Sequence, residues 1–346
     1  MATTLSGMIV GAASAALPAS GMSGPMWKPA MPPDAWRLLV IHPQPLPVLP
    51  ALCLVLTAAY GGGVLRLRRR GHRWPPGRSV SFAVGIMTVL SVTATGIGGY
   101  GMALFSVHMA QHMVLSMLSP IFLLMGAPVT LALRALPAAG RFSMPRRALL
   151  RVLGSRPAGI LTSPAVTLPL FIASLYGLYF TPLFDAAMRS WWGHNWMLLH
   201  FLAVGLLLFW PILAIDPSPH RTSPVIRMLE LFAAMPFHAF FAVTVMMSTT
   251  LVVGSFGRID PSWGITALGD QRMGGGIAWA FSEVPTLLVL VAVVVQWWRS
   301  SEREARRGER AARRDGDREL RAYNAWLGRL AAAGQEPAPP GRRPQP

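Results

Sequence analysis

Residues 102–125 read MALFSVHMAQHMVLSMLSPIFLLM and contain no lysine, arginine, aspartate or glutamate. An α-helix rises about 1.5 Å per residue, so a helix over this stretch would cross the roughly 30 Å hydrocarbon core of a bilayer. The stretch therefore predicts a transmembrane helix. Six other stretches have a similar length and a mainly apolar composition, and they are Pro45–Leu65, Val80–Tyr100, Pro164–Phe184, His194–Ile215, Val225–Val253 and Gly274–Trp298.

The composition of the whole chain agrees with a membrane protein. Of its 346 residues, 53% are hydrophobic and 13% are charged, whereas soluble domains carry about 25% charged residues. We therefore predict an all-α integral membrane protein with a bundle of about seven transmembrane helices. The single cysteine, Cys53, excludes an internal disulfide.

Positive charge is concentrated in alternate loops between the apolar stretches. Basic clusters lie at residues 66–78, 134–156 and 220–227 and in the tail after Trp298. Lysine and arginine accumulate in cytoplasmic loops, so we predict a multi-pass protein of the bacterial plasma membrane with its N-terminus outside and its C-terminus in the cytoplasm. The net charge of +17 then reflects orientation and contact with lipid headgroups, with docking of a cytoplasmic partner as the alternative. We find no nucleic-acid-binding motif and expect no nucleic-acid partner.

The chain is expected to have three parts. Residues 1–44 are interpreted as a flexible exported tail, with a cleaved signal segment as the alternative. Residues 45–299 form the transmembrane domain. Residues 300–346 form a basic cytoplasmic tail that is helical at first, with Glu302 and Arg306 on one helix face, and disordered from Gln335 onward.

Two histidines in residues 102–125, the third of the seven apolar stretches in chain order, are the first candidates for a functional site. His108 and His112 are four residues apart, so they share one face of a helix. Met109 and Met113 form a second stripe beside them. Ionisable side chains inside a membrane are costly and are usually functional. Two neutral imidazoles at this spacing can chelate a metal ion, and neighbouring thioethers favour Cu(I).

Polar side chains in three other stretches lie at a comparable predicted depth. They are His200 in the fifth stretch, His238 in the sixth and Glu283 in the seventh, with Asp270 at the entrance to the seventh. His194 is interpreted as an interfacial residue near several tryptophans. We expect the deeper residues to converge in the outer half of the membrane. They would form either a metal or cofactor site or a set of interhelical hydrogen bonds that only stabilises the bundle.

Several short motifs resemble one known family. They are His-Met-Ala-Gln-His-Met at 108–113, Leu-Leu-Met-Gly-Ala-Pro at 123–128, Leu-Arg-Ala-Leu-Pro at 133–137, Phe-Trp-Pro-Ile-Leu-Ala-Ile-Asp-Pro at 209–217 and Asp-Gln-Arg-Met-Gly-Gly at 270–275. Their combination resembles the CtaG family of bacterial cytochrome c oxidase assembly proteins, in the multi-span branch associated with caa-type oxidases. His108, His112, His200, Asp270 and Glu283 match the family pattern, whereas His238 is added from its predicted depth alone.

The resemblance implies an assembly factor and not an enzyme. The implied role is to supply or insert copper at the haem–copper centre, with a cytochrome c oxidase subunit and other copper-handling proteins as partners. His108 and His112 would bind Cu(I) with a third ligand from His200, His238 or a methionine. Asp270 and Glu283 would support the exchange of ligands by carrying charge or a proton.

Two other functions remain open at the level of the sequence. A copper transporter would need polar or sulfur side chains in the inner halves of the spans, which look mainly apolar. A haem or quinone redox protein could use two histidines on different helices as axial ligands. A visible absorption band in the purified protein would favour the redox protein.

Overall fold

The computed structural model describes residues 23–140, 143–219, 222–314 and 318–333, and this part of the chain is helical without a β-strand. In chain order the α-helices are α1 (Ala35–Leu39), α2 (Val48–Arg69), α3 (Pro76–Thr93), α4 (Ile97–Tyr100), α5 (Phe105–Met113), α6 (Ser119–Met125), α7 (Pro128–Ala135), α8 (Met144–Leu153), α9 (Arg156–Leu161), α10 (Pro164–Tyr179), α11 (Leu183–Met188), α12 (Trp191–Leu213), α13 (Pro224–Met247), α14 (Ala267–Arg314) and α15 (Arg318–Ala333). The all-α prediction is confirmed.

Several of these helices suit a bilayer. Five helical segments are long and apolar enough to cross a membrane, and they are Val48–Arg69, Phe105–Ala135, Trp191–Leu213, Pro224–Met247 and Ala267–Arg310. The other two predicted spans coincide with α3, which has 18 residues, and with α10, which has 16. The structure thus supports a helical membrane protein, while the count of seven spans and the orientation of the termini stay predictions.

A π-helical turn, Val114–Leu118, joins α5 to α6. Pro120 follows this turn, and a proline inside a helix crowds the carbonyl group four residues earlier, which is that of Ser116. The wider π turn relieves this crowding. Across from it, Gly205 lets the backbone of α12 approach closely, because a Cβ atom at Gly205 would lie 2.1 Å from the Ser116 carbonyl oxygen. Helix α12 is therefore held directly against the turn that follows His112.

The segment before α2 packs on α4, where the Tyr100 hydroxyl donates a hydrogen bond to the Met31 carbonyl oxygen at 2.9 Å. The backbone N–H of Trp27 donates a hydrogen bond to the side chain of Gln44 at 2.9 Å, and the Gln44 amide donates back to the Trp27 carbonyl at 3.2 Å. These contacts tie residues 27 and 44 together, while the flexible tail over residues 1–44 stays a prediction. Residues 1–22 of that predicted tail lie outside the described residues.

The described residues from Val294 onward form a second compact unit. Within it, Arg306 pairs with Glu302 at 3.8 Å, which is the pairing that the four-residue spacing predicts. The predicted disorder from Gln335 onward falls outside the described residues.

Candidate functional site

One tyrosine of α10 links the two histidines of α5. The Tyr179 hydroxyl lies 3.1 Å from Nε2 of His108 and 2.7 Å from Nδ1 of His112. All three side chains are buried. A phenol carries one proton, so Tyr179 donates a hydrogen bond to one imidazole and accepts one from the N–H of the other. The hydroxyl therefore fixes one nitrogen of each ring and leaves the other nitrogen of each ring for another partner.

Aromatic rings enclose this pair. Phe201 of α12 stacks on His112 with ring centroids 3.9 Å apart. Phe184 meets His108 edge-on at 4.9 Å, and Phe256 lies 5.7 Å from the same imidazole. These apolar neighbours shield the ring faces, so any further polar contact to the pair must run through the ring nitrogens.

A small cavity lies beside His112. His200 of α12 is half-buried and is hydrogen-bonded to Ser174 of α10. Ser174 lines the cavity together with His112, Phe171 and Phe201, and the cavity has a volume of about 10 Å³. This is room for roughly one water molecule. His112 therefore lines this cavity, whereas His200 does not line it and is connected to it only by its hydrogen bond to Ser174.

His238 of α13 lies at a second cavity. The side chain is buried, and neither of its ring nitrogens has a hydrogen-bond partner within the described residues. The cavity has a volume of about 10 Å³, and its lining includes Met117, Met235 and Phe171. Phe171 thus lines both cavities. A neutral imidazole offers one donor and one acceptor, so a water molecule or a soft metal ion in this cavity would satisfy one of the two ring nitrogens of His238.

The methionines that line the cavities are not the two that were predicted as ligands. Met109 and Met113 are fully buried on α5 but are not among the residues lining these two cavities. Met117 lines the second cavity instead. It lies in the π-helical turn, where the wider turn shifts the side chains away from ordinary helical positions.

The donor set limits which metal could bind. Among the described residues, no group of three or more His, Cys, Asp or Glu side chains is arranged to hold a metal ion. What the geometry offers is a pair of imidazoles at His108 and His112, and an imidazole with two thioethers at His238. Each set has only two or three soft donor atoms, which suits Cu(I) better than a metal that needs several oxygen ligands.

Asp270 caps the helix that carries the histidines. Its carboxylate accepts the backbone N–H groups of Phe105 at 2.5 Å and Ser106 at 3.3 Å, and the Ser106 hydroxyl donates to it as well. The first N–H groups of a helix have no acceptor within the helix, and a carboxylate complements the positive end of the helix dipole. Asp270 therefore ties α14 to the start of α5 and helps to set the position of His108.

Replacing Asp270 with alanine is expected to lower the unfolding temperature of the purified protein in detergent. Loss of an N-cap acceptor costs about 0.5–2 kcal/mol, and buried donors left unpaired raise that cost. Asp270→Asn is the matched control, since its carbonyl oxygen can still accept the backbone N–H groups. An alanine variant as stable as the asparagine variant would contradict the capping role.

Glu283 is not brought to the histidines. Its side chain is exposed, whereas the neighbouring Ser282 and Thr286 are buried and line the second cavity. Successive residues of an α-helix are about 100° apart around the axis, so a predicted depth does not fix the side of the helix on which a side chain lies. Glu283 was expected to converge on the imidazoles. It lies instead on the outward face of α14.

Sequence analysis missed polar residues that the structure reveals. Glu230 of α13 is buried, and one of its carboxyl oxygens is hydrogen-bonded to Thr167 of α10 while the other has no partner within the described residues. An acidic residue within an apolar stretch is itself a signal, and Glu230 could have been found by it. Tyr179 gives no comparable signal, because tyrosines are common in such helices.

His194 was interpreted as an interfacial residue. The structure buries it, with 2% of its surface exposed.

A sequence profile described as cytochrome c oxidase caa3 assembly factor matches residues 58–300. The chain belongs to this family, Caa3_CtaG. The resemblance to CtaG proteins that the motifs indicated is thereby confirmed. The matched range includes α5, α10, α12 and α13, which supply the histidines and Tyr179.

Three curated mycobacterial proteins are also similar to this Caa3_CtaG protein. An uncharacterized protein of Mycobacterium bovis and one of Mycobacterium tuberculosis are each 45% identical over 282 residues, which is 80% of this chain and 43% of the relative. An uncharacterized protein of Mycobacterium leprae is 43% identical over 285 residues, or 81% of this chain and 43% of the relative. The chain thus spans less than half the length of these relatives. No solved structure matches it.

Proposed function

We propose that this Caa3_CtaG protein binds Cu(I) within the bacterial plasma membrane and passes it to a cytochrome c oxidase subunit during assembly of the oxidase. The family supports the assembly role. The single observation that carries the copper role is the buried His108–Tyr179–His112 cluster. The protein then acts by binding and ligand exchange and makes or breaks no covalent bond in a substrate.

The hydrogen bonds of the cluster suit two metal ligands. Tyr179 contacts Nε2 of His108 and Nδ1 of His112, so Nδ1 of His108 and Nε2 of His112 are the nitrogens that would bind copper. Nδ1 of His108 makes no hydrogen bond of good geometry with a described residue, although the Gly101 backbone lies near this imidazole. Histidines that bind metals commonly use their second nitrogen for a hydrogen bond that orients the ring. With copper on the other nitrogen of each ring, both nitrogens that face Tyr179 carry hydrogen, and the two lone pairs of the Tyr179 oxygen accept both N–H groups.

A second set of soft ligands lies close in the same bundle. His238, Met117 and Met235 line one cavity, and its wall shares Phe171 with the cavity beside His112. Cu(I) exchanges readily among imidazole and thioether ligands without a change of oxidation state. We infer that copper moves by stepwise exchange between these sets of ligands before it leaves for the oxidase subunit.

The volumes of the two cavities are too small for a haem or a quinone. Each of the two cavities beside His112 and His238 has a volume of about 10 Å³. Sites for small organic ligands usually measure about 300–1,000 Å³. The helices would have to separate to admit a macrocycle, whereas a single ion needs no such opening.

A copper transporter is the second candidate, and Glu230 is the observation that favours it. Glu230 and Thr167 form a buried polar contact near the end of α13 that the arginine pattern assigns to the cytoplasm. An intramembrane carboxyl group with an unpartnered oxygen often marks an ion path. Vesicles containing the purified protein would separate the two functions, because transport requires time-dependent uptake of Cu(I) into the lumen and delivery to an oxidase does not.

Replacing Tyr179 with phenylalanine is expected to weaken Cu(I) binding while the protein stays folded. The change removes one hydroxyl that orients both imidazoles, and loss of such a partner usually lowers metal affinity about 10–100-fold. Competition with a Cu(I) chelator of known affinity measures the change. Tyr176→Phe on the same helix is the matched control, since its hydroxyl bonds only the Phe237 carbonyl oxygen. Equal affinities in the two variants would contradict the role of Tyr179.

The assembly role is tested by deleting the gene from its host and measuring oxidase in the membranes. We expect the catalytic subunit to be made but to lack copper, with low oxidase activity that a plasmid copy of the gene restores. Added copper in the medium should restore part of the activity if supply of the metal is the missing step. A deletion strain with normal oxidase content and activity would overturn the proposal.

A further inference from the structure

Helix α14 has an inward face and an outward face that differ in chemistry. Ala278, Ser282 and Thr286 are buried, and they recur every four residues on the inward face. The outward face carries Glu283 and Leu287, which are exposed. Glu283 has no hydrogen bond or ion pair with any other described residue.

The depth of Glu283 makes its exposure costly. The apolar part of α14 runs between Arg272 and Arg299. Glu283 lies 11 residues after the first of these and 16 before the second, or about 16 Å and 24 Å along the axis at 1.5 Å per residue. We therefore expect it to lie well inside the hydrocarbon core. A charged side chain that faces lipid near the bilayer centre is costly and is usually paired with another group.

The same face allows close approach of another helix. Gly276, Ala280, Glu283 and Leu287 follow the spacing of four, three and four residues that forms one stripe along a helix. A Cβ atom at Gly276 would meet no atom within 4 Å, and Ala280 is exposed. Small residues four apart let two transmembrane helices pack with their backbones near each other.

We propose that this stripe, Gly276–Ala280–Glu283–Leu287, docks a transmembrane helix of another protein that carries a cationic or hydrogen-bond-donating side chain at the depth of Glu283. The proposal rests on the assembly function, which requires contact with an integral membrane partner. A donor from the partner would satisfy the carboxylate that the described residues of this chain leave unpaired.

Charge complementarity favours another protein over a second copy of this chain. A symmetric dimer uses the same surface on both subunits. Packing about an axis through this stripe would bring two Glu283 carboxylates together, and like charges in a low-dielectric environment repel. A different helix with a basic, amide or hydroxyl side chain supplies what the stripe lacks.

Photo-crosslinking in native membranes tests the proposal with the full-length protein. A photoreactive amino acid is placed at Leu287 in the stripe, or as a control at Met87 of α3, which is also exposed. We expect Leu287 to give a discrete product with an integral membrane protein, and mass spectrometry to map the joined peptide to a span that contains a donor side chain. Met87 is expected to give lipid adducts only.

Glu283 itself is then varied while the probe stays at Leu287. Glu283→Leu is expected to abolish most of the crosslinked product at an unchanged protein level, and Glu283→Gln to keep part of it because an amide still forms hydrogen bonds. The proposal is overturned if Leu287 gives lipid adducts alone, a product between two copies of this chain, or a product with a span that lacks a donor. It is overturned equally if Glu283→Leu leaves the product unchanged.

The oxidase content of the same membranes keeps this proposal separate from the assembly function. If deletion of the gene leaves oxidase intact, the assembly function fails whatever the crosslinks show. If deletion removes oxidase but Leu287 contacts only lipid, the docking stripe fails and the assembly function stands.

Discussion

Replacing His108 and His112 together with alanine is expected to weaken Cu(I) binding by more than about 100-fold and to reduce oxidase to the level of the deletion strain. The two imidazoles are the proposed ligands, and Tyr179 keeps one nitrogen of each ring engaged. Loss of an outer partner alone weakens metal sites about 10–100-fold, so loss of both ligands should exceed that range. Chelator competition on the purified protein and the haem spectrum of the membranes measure the two effects.

Stability must be followed in the same experiment, because both histidines are buried. His72→Ala is the matched control for the loss of an imidazole, since His72 is exposed in the loop between α2 and α3. The double variant should reach the membrane and elute from gel filtration like the wild type. A folded double variant that binds Cu(I) normally and supports full oxidase assembly would contradict the proposed site.

Replacing Gly205 with alanine is expected to cause a large loss of stability from a single methyl group. The added Cβ would lie 2.1 Å from the Ser116 carbonyl oxygen and 2.7 Å from Pro120 Cγ. Neither the backbone of the π turn nor the proline ring can rotate away. Overpacking of this kind costs roughly 1–3 kcal/mol, which corresponds to a fall of about 5 °C in the unfolding temperature.

The same substitution should also weaken copper binding, because a shift of α12 moves Phe201 away from His112. Gly62→Ala on α2 is the matched control. A Cβ atom at Gly62 would meet nothing within 4 Å, and alanine favours a helix more than glycine does, so this variant should be as stable as the wild type or slightly more stable. Equal unfolding temperatures for the two variants would show that α12 does not press against the π turn.

The helical architecture could be predicted from the sequence because it depends on local properties. Apolar length predicts which segments are helices suited to a bilayer, and the four-residue spacing of His108 and His112 places them on one face. The contact of both with Tyr179 could not be predicted, since it depends on how α10 packs against α5. The spacing of residues within one helix does not indicate which other helix packs against it.

For the acidic residues too, the depth along a helix could be predicted, but the direction in which the side chain points could not. Counting residues along α14 gave a depth for Glu283, and the structure places the side chain on the outward face. Asp270 was expected to support ligand exchange, and the structure shows it as a cap on α5. Capping across two helices has no spacing rule in the sequence, because the acceptor and the donors are far apart in the chain.

The central claim is that the His108–Tyr179–His112 cluster binds copper, and Cu(I) titration of the purified protein under anaerobic conditions tests it most directly. We predict about one Cu(I) per chain in the wild type, as a single pair of chelating imidazoles implies, a much weaker site in the double alanine variant and no haem band in the visible spectrum. Wild type and variant with the same copper content, or neither with any, would contradict the claim and leave the cluster with a packing role.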